Sequence, residues 1–221
     1  MDVEEAIRGR RSIRRYRPDP VSEELIREVL DQARWSPSWR NTQVWHVWAL
    51  TGAPLERFKQ QLTARLLDGS PGNPDIESPG RDFPQACLTR TQRLMDERTA
   101  CELAAGVDCS PEATSRRMGA LFGAPCLLAF GIDDCIPEAY ACFDTGAFVQ
   151  SVCLAAHARG LGTCIMATSV RFPEILHELL PDAADKHLVV GVAIGYPDAD
   201  AAINTFVRER AELEEFVRFV E

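Results

Sequence analysis

The stretch Arg8-Gly9-Arg10-Arg11-Ser12-Ile13-Arg14-Arg15-Tyr16-Arg17 carries six arginines in a chain whose formal net charge is −9 at pH 7. A guanidinium keeps its charge and binds carboxylate or phosphate through paired hydrogen bonds. Most charge runs are solvated surfaces, which is one interpretation of this basic segment, residues 8–17. Ser12, Ile13 and Tyr16 interrupt the charges and predict that part of the segment is buried, where cations need an anionic partner. A phosphate site and a solvated face both stay open on this stretch alone.

The length and composition are those of an ordinary globular protein. At 221 residues, with 46% apolar and 26% charged residues, the chain is long enough for one substantial core and is expected to form a single domain over residues 1–221. Charged residues or histidine interrupt each apolar run, so no membrane segment is predicted. The acidic N-terminus, residues 1–5, lacks the apolar block of a secretory signal, which favours a cytoplasmic protein. The acidic balance argues against nucleic-acid binding.

The cysteines and histidines do not indicate a metal site. The eight cysteines include no C-x-x-C pair and no histidine at zinc-finger spacing, and most lie in apolar surroundings typical of structural thiols. The four histidines are scattered along the chain, and no role is assigned to them: His46, His157, His177 and His187. No metal is therefore expected.

Hydrophobic periodicity predicts a mixed α and β chain with four or five strands. Helices are expected over residues 2–9, 22–35, 54–67, 85–105, 111–118, 137–159, 172–180 and 211–219, and strands over 43–50, 126–132, 162–166 and 187–195. Residues 68–84 are rich in Gly, Pro, Asn and Asp, which predicts a long loop. The many small residues of 137–159 predict that this helix is central or lies at a subunit contact.

Three blocks of sequence, taken in order, resemble the FMN-dependent nitroreductase family. They are Arg10–Tyr16, Ser36–Trp45 and Gly160–Cys164, the last joined by the closing Arg208 and Arg210. The resemblance implies an α+β fold with a mainly antiparallel central sheet of four to five strands, flanked by helices. It also implies an intertwined homodimer that binds FMN at the subunit interface, with residues 68–119 as a variable wall over the flavin.

The resemblance also implies a set of cofactor-binding residues. Arg10, Arg11, Ser12, Arg208 and Arg210 would hold the FMN phosphate. Arg14 would place a cation near N1 and O2 of the flavin, where negative charge develops on reduction. The remaining positions would contact the ring: Pro37, Ser38 and Asn41 from the partner subunit, Trp39 against flavin or substrate, and Ala167 or Thr168 through backbone N–H groups near N5.

The implied activity is transfer of a hydride from NADH or NADPH through flavin N5 to a nitroaromatic, quinone or similar small acceptor, by a two-step exchange. No nucleophile–base pair is needed, because the flavin carries the redox chemistry. The chain lacks a G-x-G-x-x-G motif, which argues against a Rossmann dehydrogenase. Two alternatives stay open: a specialised FMN enzyme of the same fold, such as a dehalogenase or a biosynthetic dehydrogenase, and a flavin-binding protein without turnover.

Overall fold

A four-stranded antiparallel sheet forms the centre of the fold in the computed structural model, which describes residues 1–77, 82–135 and 137–221. The strands are β1 (Trp45–Leu50), β2 (Cys126–Asp133), β3 (Gly162–Met166) and β4 (Lys186–Gly195), and their order across the sheet is β1-β2-β4-β3. Every neighbouring pair is antiparallel. The predicted α+β class and strand count are therefore confirmed.

Nine α-helices surround this sheet in the described residues. Their bounds are α1 (Val3–Gly9), α2 (Glu23–Ala33), α3 (Gly52–Leu67), α4 (Gln85–Ala104), α5 (Pro111–Gly119), α6 (Glu138–Ala158), α7 (Pro173–Leu179), α8 (Ala202–Thr205) and α9 (Leu213–Phe216). Most bounds match the prediction within a few residues because capping residues define them. Ser22 Oγ accepts the Leu25 N–H at 3.2 Å, and Gly160, with φ of +76°, ends α6. Part of the predicted 68–84 loop, residues 78–81, lies outside the described residues.

The prediction of a closing helix over 211–219 is wrong, because the observed α9 has four residues and Val217 is already extended. The apolar side chains that suggested an amphipathic face, including Phe216 and Phe219, are exposed in the single chain. A short helix depends on tertiary packing of its apolar face, and no residue of 211–219 is buried against the rest of the described chain.

The side chains of the sheet alternate between two cores. Leu127 and Ala129 of β2 pack with Phe58 and Leu62 of α3, whereas the neighbouring residues of β2 pack with α2 and α6 on the opposite face. This arrangement buries the sheet on both sides, which explains why β2 is apolar from Cys126 to Ile132.

Helix α6 is long and apolar enough, by length and composition alone, to cross a membrane. Half of that apolar stretch is buried within the protein, however, where α6 packs along α2 and the sheet. These features are those of the core helix of a globular fold, and they agree with the predicted central position of this helix.

The basic segment runs along the edge strand β3. Ser12 forms a parallel bridge with Thr163, and the Ile13 N–H donates to the Thr163 carbonyl at 2.9 Å. The Tyr16 hydroxyl donates to the Ala193 carbonyl at 3.1 Å, and the side chains of Ile13 and Tyr16 are buried. The alternation of apolar and charged residues thus anchors the segment and leaves its arginines at one edge of the sheet.

Candidate active site

Arginines from the two ends of the chain converge beside β3. Arg208 Nη2 donates to the carbonyl of Arg8 at 2.9 Å and also to the carbonyl of Arg10. Partial burial, followed by the charges of Arg210, Arg11 and Arg10, lowers the pKa of Arg208. Four guanidinium groups therefore lie close enough to repel one another. We call Arg10, Arg11, Arg208 and Arg210 the arginine cluster.

The arginine cluster has no acidic counterpart in the part of the chain that the structure describes. Among those residues, no carboxylate lies within 4.0 Å of any of its four guanidinium groups, nor of that of Arg14. The Nε of Arg10 is buried and has no hydrogen-bond partner there. Since a buried donor on a cation is costly to leave unpaired, the cluster has the properties of an anion-binding site.

Asn204 of α8 fixes the backbone of the basic segment through hydrogen bonds. Its Oδ1 accepts the Arg14 N–H at 2.8 Å, and its Nδ2 donates to the carbonyls of Arg15 and Asp198 at 2.7 and 2.8 Å. Asn204 is only 6% exposed. Asn204 thereby joins the C-terminal part of the chain to the basic segment and holds Arg14 in register.

Ser12 and Arg14 lie near the start of β3, next to the buried thiol of Cys164. Burial raises the pKa of Cys164, and the charge of Arg14 and a hydrogen bond with Ser12 oppose that rise. Arg98 of α4 lies close to Arg14 and Cys164. Burial, followed by the charge of Arg14, lowers the pKa of Arg98. The Nε of Arg98 is buried and has no hydrogen-bond partner among the described residues. Helix α4 thus places the Arg98 guanidinium close to that of Arg14.

The second group of predicted residues lies in the loop between α2 and β1. Pro37, Ser38 and Trp39 line an apolar cavity of about 510 Å³ together with Tyr140 and Phe143 of α6. The Trp39 and Tyr140 rings lie 5.9 Å apart between centroids. Such a cavity suits a flat aromatic molecule, because aromatic rings pack well against one another in offset or tilted arrangements.

Asp144 of α6 holds this loop in an unusual backbone conformation. Its Oδ2 accepts the Trp39 N–H at 2.8 Å, and Asp144 as a whole is only 4% exposed. Arg40, Asn41 and Gln43 have φ values of 50°, 60° and 50°, in the left-handed region that non-glycine residues seldom adopt. Strained backbone of this kind persists only where the surroundings impose it, and it is concentrated at functional sites.

The Pro37–Asn41 loop and the arginine cluster are far apart within one chain. Asp144 contacts the Pro37–Asn41 loop near the start of α6, whereas His157 lies beside Gly9 near its end. Thirteen residues separate Asp144 from His157, which at 1.5 Å per residue is about 20 Å along the helix. One chain therefore does not bring the loop and the arginine cluster to the same place.

Ala167 and Thr168 open a 3₁₀ turn directly after β3. They lie about 13 Å along the strand from Thr163, where the basic segment pairs. The first N–H groups of a helical turn have no partner within that turn, which is the arrangement that the expected backbone donation requires.

The sequence matches the model of the Nitroreductase family over residues 7–196. This chain belongs to the nitroreductase family. It is 34% identical to a 4-nitrobenzoate reductase of Pseudomonas putida, and the match covers 99% of this chain and 96% of that protein. It is 33% identical to a chloronitrobenzene nitroreductase of Comamonas testosteroni, with the same coverage of both chains.

A solved structure agrees with this assignment to the nitroreductase family. Its fold superimposes on the crystal structure of the FMN-dependent nitroreductase NfnB from Mycobacterium smegmatis in complex with NADPH with a TM-score of 0.88. The two are 27% identical, and the superposition covers 99% of this chain and 97% of that one. The nitroreductase fold expected from the resemblance is confirmed.

Four residues of the candidate site in this nitroreductase-family protein were not predicted from the sequence: Arg98, Asp144, His157 and Asn204. Asp144 gave a usable signal, because an acid among the small and apolar residues of α6 needs a hydrogen-bond partner if it is buried. The other three gave none. Their roles depend on which segments the fold brings beside the basic segment, and a single sequence does not show this.

Proposed function

We propose that this nitroreductase-family protein is an FMN-dependent oxidoreductase that transfers electrons from NADPH or NADH to nitroaromatic acceptors, and to quinones or similar small molecules. The observation that carries the proposal is the arginine cluster, an anion site without an acidic partner among the described residues. The names of the relatives support both the cofactor and the class of acceptor.

The donor set of the arginine cluster fits the phosphate of FMN. A phosphate dianion accepts several hydrogen bonds at once, and arginine forks donate in pairs. The unpaired Nε of Arg10 and the mutual repulsion around Arg208 would both be relieved by such an anion. We infer that Arg10, Arg11, Ser12, Arg208 and Arg210 hold the phosphate.

FMN, when bound, supplies the redox chemistry by accepting a hydride and returning its electrons to a second substrate. The protein supplies position and charge. Arg14, held by Asn204, provides a fixed cation that favours negative charge on the flavin, and Arg98 adds a second cation from α4. Replacing Arg14 with Leu should lower the flavin reduction potential, and an unchanged potential would contradict this role.

Two copies of the chain complete the site in this proposal. The loop with Pro37, Ser38, Trp39 and Asn41 lies about 20 Å along α6 from the arginine cluster of its own chain, so it would serve the flavin of the partner chain. Exposed apolar side chains on α6, with Tyr140 at 55% and Phe143 at 76% exposure, support a subunit contact there. We therefore propose a homodimer, with residues 68–119 as part of the wall over each flavin, acting in the cytoplasm.

Anaerobic absorbance spectroscopy tests the activity directly. The FMN-loaded protein should lose its flavin absorbance on addition of NADPH or NADH and recover it on addition of 4-nitrobenzoate or nitrobenzene. If neither donor reduces the flavin, the proposed oxidoreductase activity is wrong and the flavin-binding alternative is favoured.

Fluorescence titration tests the phosphate site separately. Arg208→Gln should weaken FMN binding at least tenfold, whereas Arg218→Gln should leave it unchanged. Arg218 is the matched control because it is also a C-terminal arginine, and it donates only to the nearby carbonyls of Glu214 and Val217 in the described structure. Equal affinities in the two variants would exclude the arginine cluster as the phosphate site.

A further inference from the structure

A cavity of about 260 Å³ lies behind the arginine cluster, between the end of α1, the start of β3 and the last turn of α6. Its lining includes Gly9, Arg10, Arg11, His157, Thr163 and Asn204. His157 is the only one of these that α6 contributes. It is also a titratable group to which the sequence gave no role.

The imidazole of His157 packs directly against the backbone of the basic segment. A Cβ at Gly9 would lie 2.6 Å from His157 Nε2, so a side chain at position 9 would force the ring away. In the part of the chain that the structure describes, no hydrogen bond is made by either ring nitrogen. The ring therefore faces the cavity with its hydrogen-bonding capacity unused.

The charges that face His157 are nearly all positive. Arg11 and Arg10 come from the basic segment, Arg208 from the C-terminal part, and Glu5 of α1 is the opposing acid. Arg159, directly after the end of α6, is paired with Glu28 at 3.4 Å. Partial burial, then Arg11 and Arg10, lower the pKa of His157, so in the free protein the imidazole is neutral at pH 7.

We propose that His157 is a further phosphate-binding residue, which takes up one proton when the phosphate of FMN enters the arginine cluster. The proposal rests on the proposed function for the identity of the phosphate. One proton moves from the solvent to the imidazole, and no covalent bond forms or breaks. His157 then becomes a cationic donor at the base of the site.

The sign of the electrostatic field around His157 is the physical reason for this proton uptake. Without a ligand, the cluster repels a proton from His157. A bound phosphate carries about −1.5 to −2 charges at pH 7 and cancels much of that repulsion. Because binding and protonation are linked, an imidazole that is protonated more readily in the complex makes FMN bind more tightly as the pH falls.

Isothermal titration calorimetry tests this linkage. FMN is titrated into the apo-protein at pH 7.5 in two buffers of different ionisation enthalpy, which gives the number of protons taken up. We expect net uptake in the wild type and in His177→Gln, and loss of that uptake in His157→Gln. His177 is the matched control because it is also a helical histidine, lying on α7 beside Asp75 at 3.7 Å.

The pH dependence of affinity gives an independent readout. The dissociation constant of FMN for the wild type should rise about tenfold between pH 7 and pH 8.5, and it should be nearly constant for His157→Gln. Riboflavin, which lacks the phosphate, should show no proton uptake. Inorganic phosphate alone should give more proton uptake in the wild type than in His157→Gln, a difference in which the protons released by phosphate itself cancel.

The outcomes separate the two proposals. Failure of the wild type to bind FMN would overturn the proposed function. Tight FMN binding with equal proton uptake in the wild type and His157→Gln would overturn only the role of His157. If His157→Gln does not fold, NMR of the wild-type His157 ring decides: its pKa should rise on addition of FMN, and an unchanged pKa refutes the inference.

Discussion

Replacing Asn204 with Leu should weaken both the fold and the binding of FMN. The substitution keeps the approximate shape of the side chain but removes one acceptor and two donors. The Arg14 N–H loses its partner at 2.8 Å, and the carbonyls of Arg15 and Asp198 lose theirs at 2.7 and 2.8 Å. The perturbation is therefore confined to three backbone groups in a site that is almost fully buried.

The structure sets the size of the effect. A buried N–H without a partner costs about 1–3 kcal/mol, and this applies to Arg14. The two carbonyls cost less, about 0.5–1 kcal/mol each, since the Arg15 carbonyl still accepts the Asp198 N–H at 3.1 Å. The total is about 2–5 kcal/mol. With a urea m-value of about 2–3 kcal/mol/M, the unfolding midpoint should fall by about 1–2 M.

Urea unfolding of the apo-protein, followed by circular dichroism, measures this loss. Asn73→Leu is the control, because the exposed Asn73 side chain makes no hydrogen bond within the described residues. Titration with FMN should show an affinity at least tenfold lower for Asn204→Leu, because the backbone that carries Arg14 is no longer fixed. A destabilisation below about 0.5 kcal/mol, with unchanged affinity for FMN, would refute the role of Asn204.

Three other predictions follow from single contacts. Phe143→Glu should convert a dimer to monomers in light scattering, and an unchanged mass would count against α6 as the interface. Gly119→Ala should cost about 1–3 kcal/mol in urea unfolding, since the added Cβ would lie 2.2 Å from Thr63 Oγ1 and push α5 from α3. A hydrogen bond from His46 lowers the pKa of Asp133, so this contact stabilises the fold above about pH 4 and is lost as the pH falls further. Asp133→Asn should flatten that part of the stability–pH curve.

The local parts of the fold could be predicted because their causes are local. The N-cap at Ser22, the glycine at 160 and the continuous apolar run of β2 each determine an element through neighbouring residues. The closing helix could not be predicted in the same way. Its periodicity is helical, but no residue of 211–219 is buried against the rest of the described chain, so packing does not stabilise a longer helix there.

The candidate site was predictable only in part, for a related reason. Arg10 and Arg208 stood out because guanidinium groups in an acidic chain need an anion. Their contact across 198 residues of sequence follows from the fold, as do the contacts of Asn204 with Arg14 and of His157 with Gly9. Asparagine and histidine are common in unrelated positions, so residue type alone carries no signal there.

Helix α6 explains why cofactor binding and dimerisation should be coupled. It holds Asp144 and the strained loop near its start, and His157 beside the arginine cluster near its end. If two chains pair about a two-fold axis beside α6, as proposed above, the start of one helix would lie near the end of the other, and Gly146, where an added Cβ would meet open space in the single chain, would let the helices approach closely. Each flavin would then contact both chains. FMN should therefore stabilise the dimer by mass action, and apo-protein diluted until it dissociates should reassociate when FMN is added.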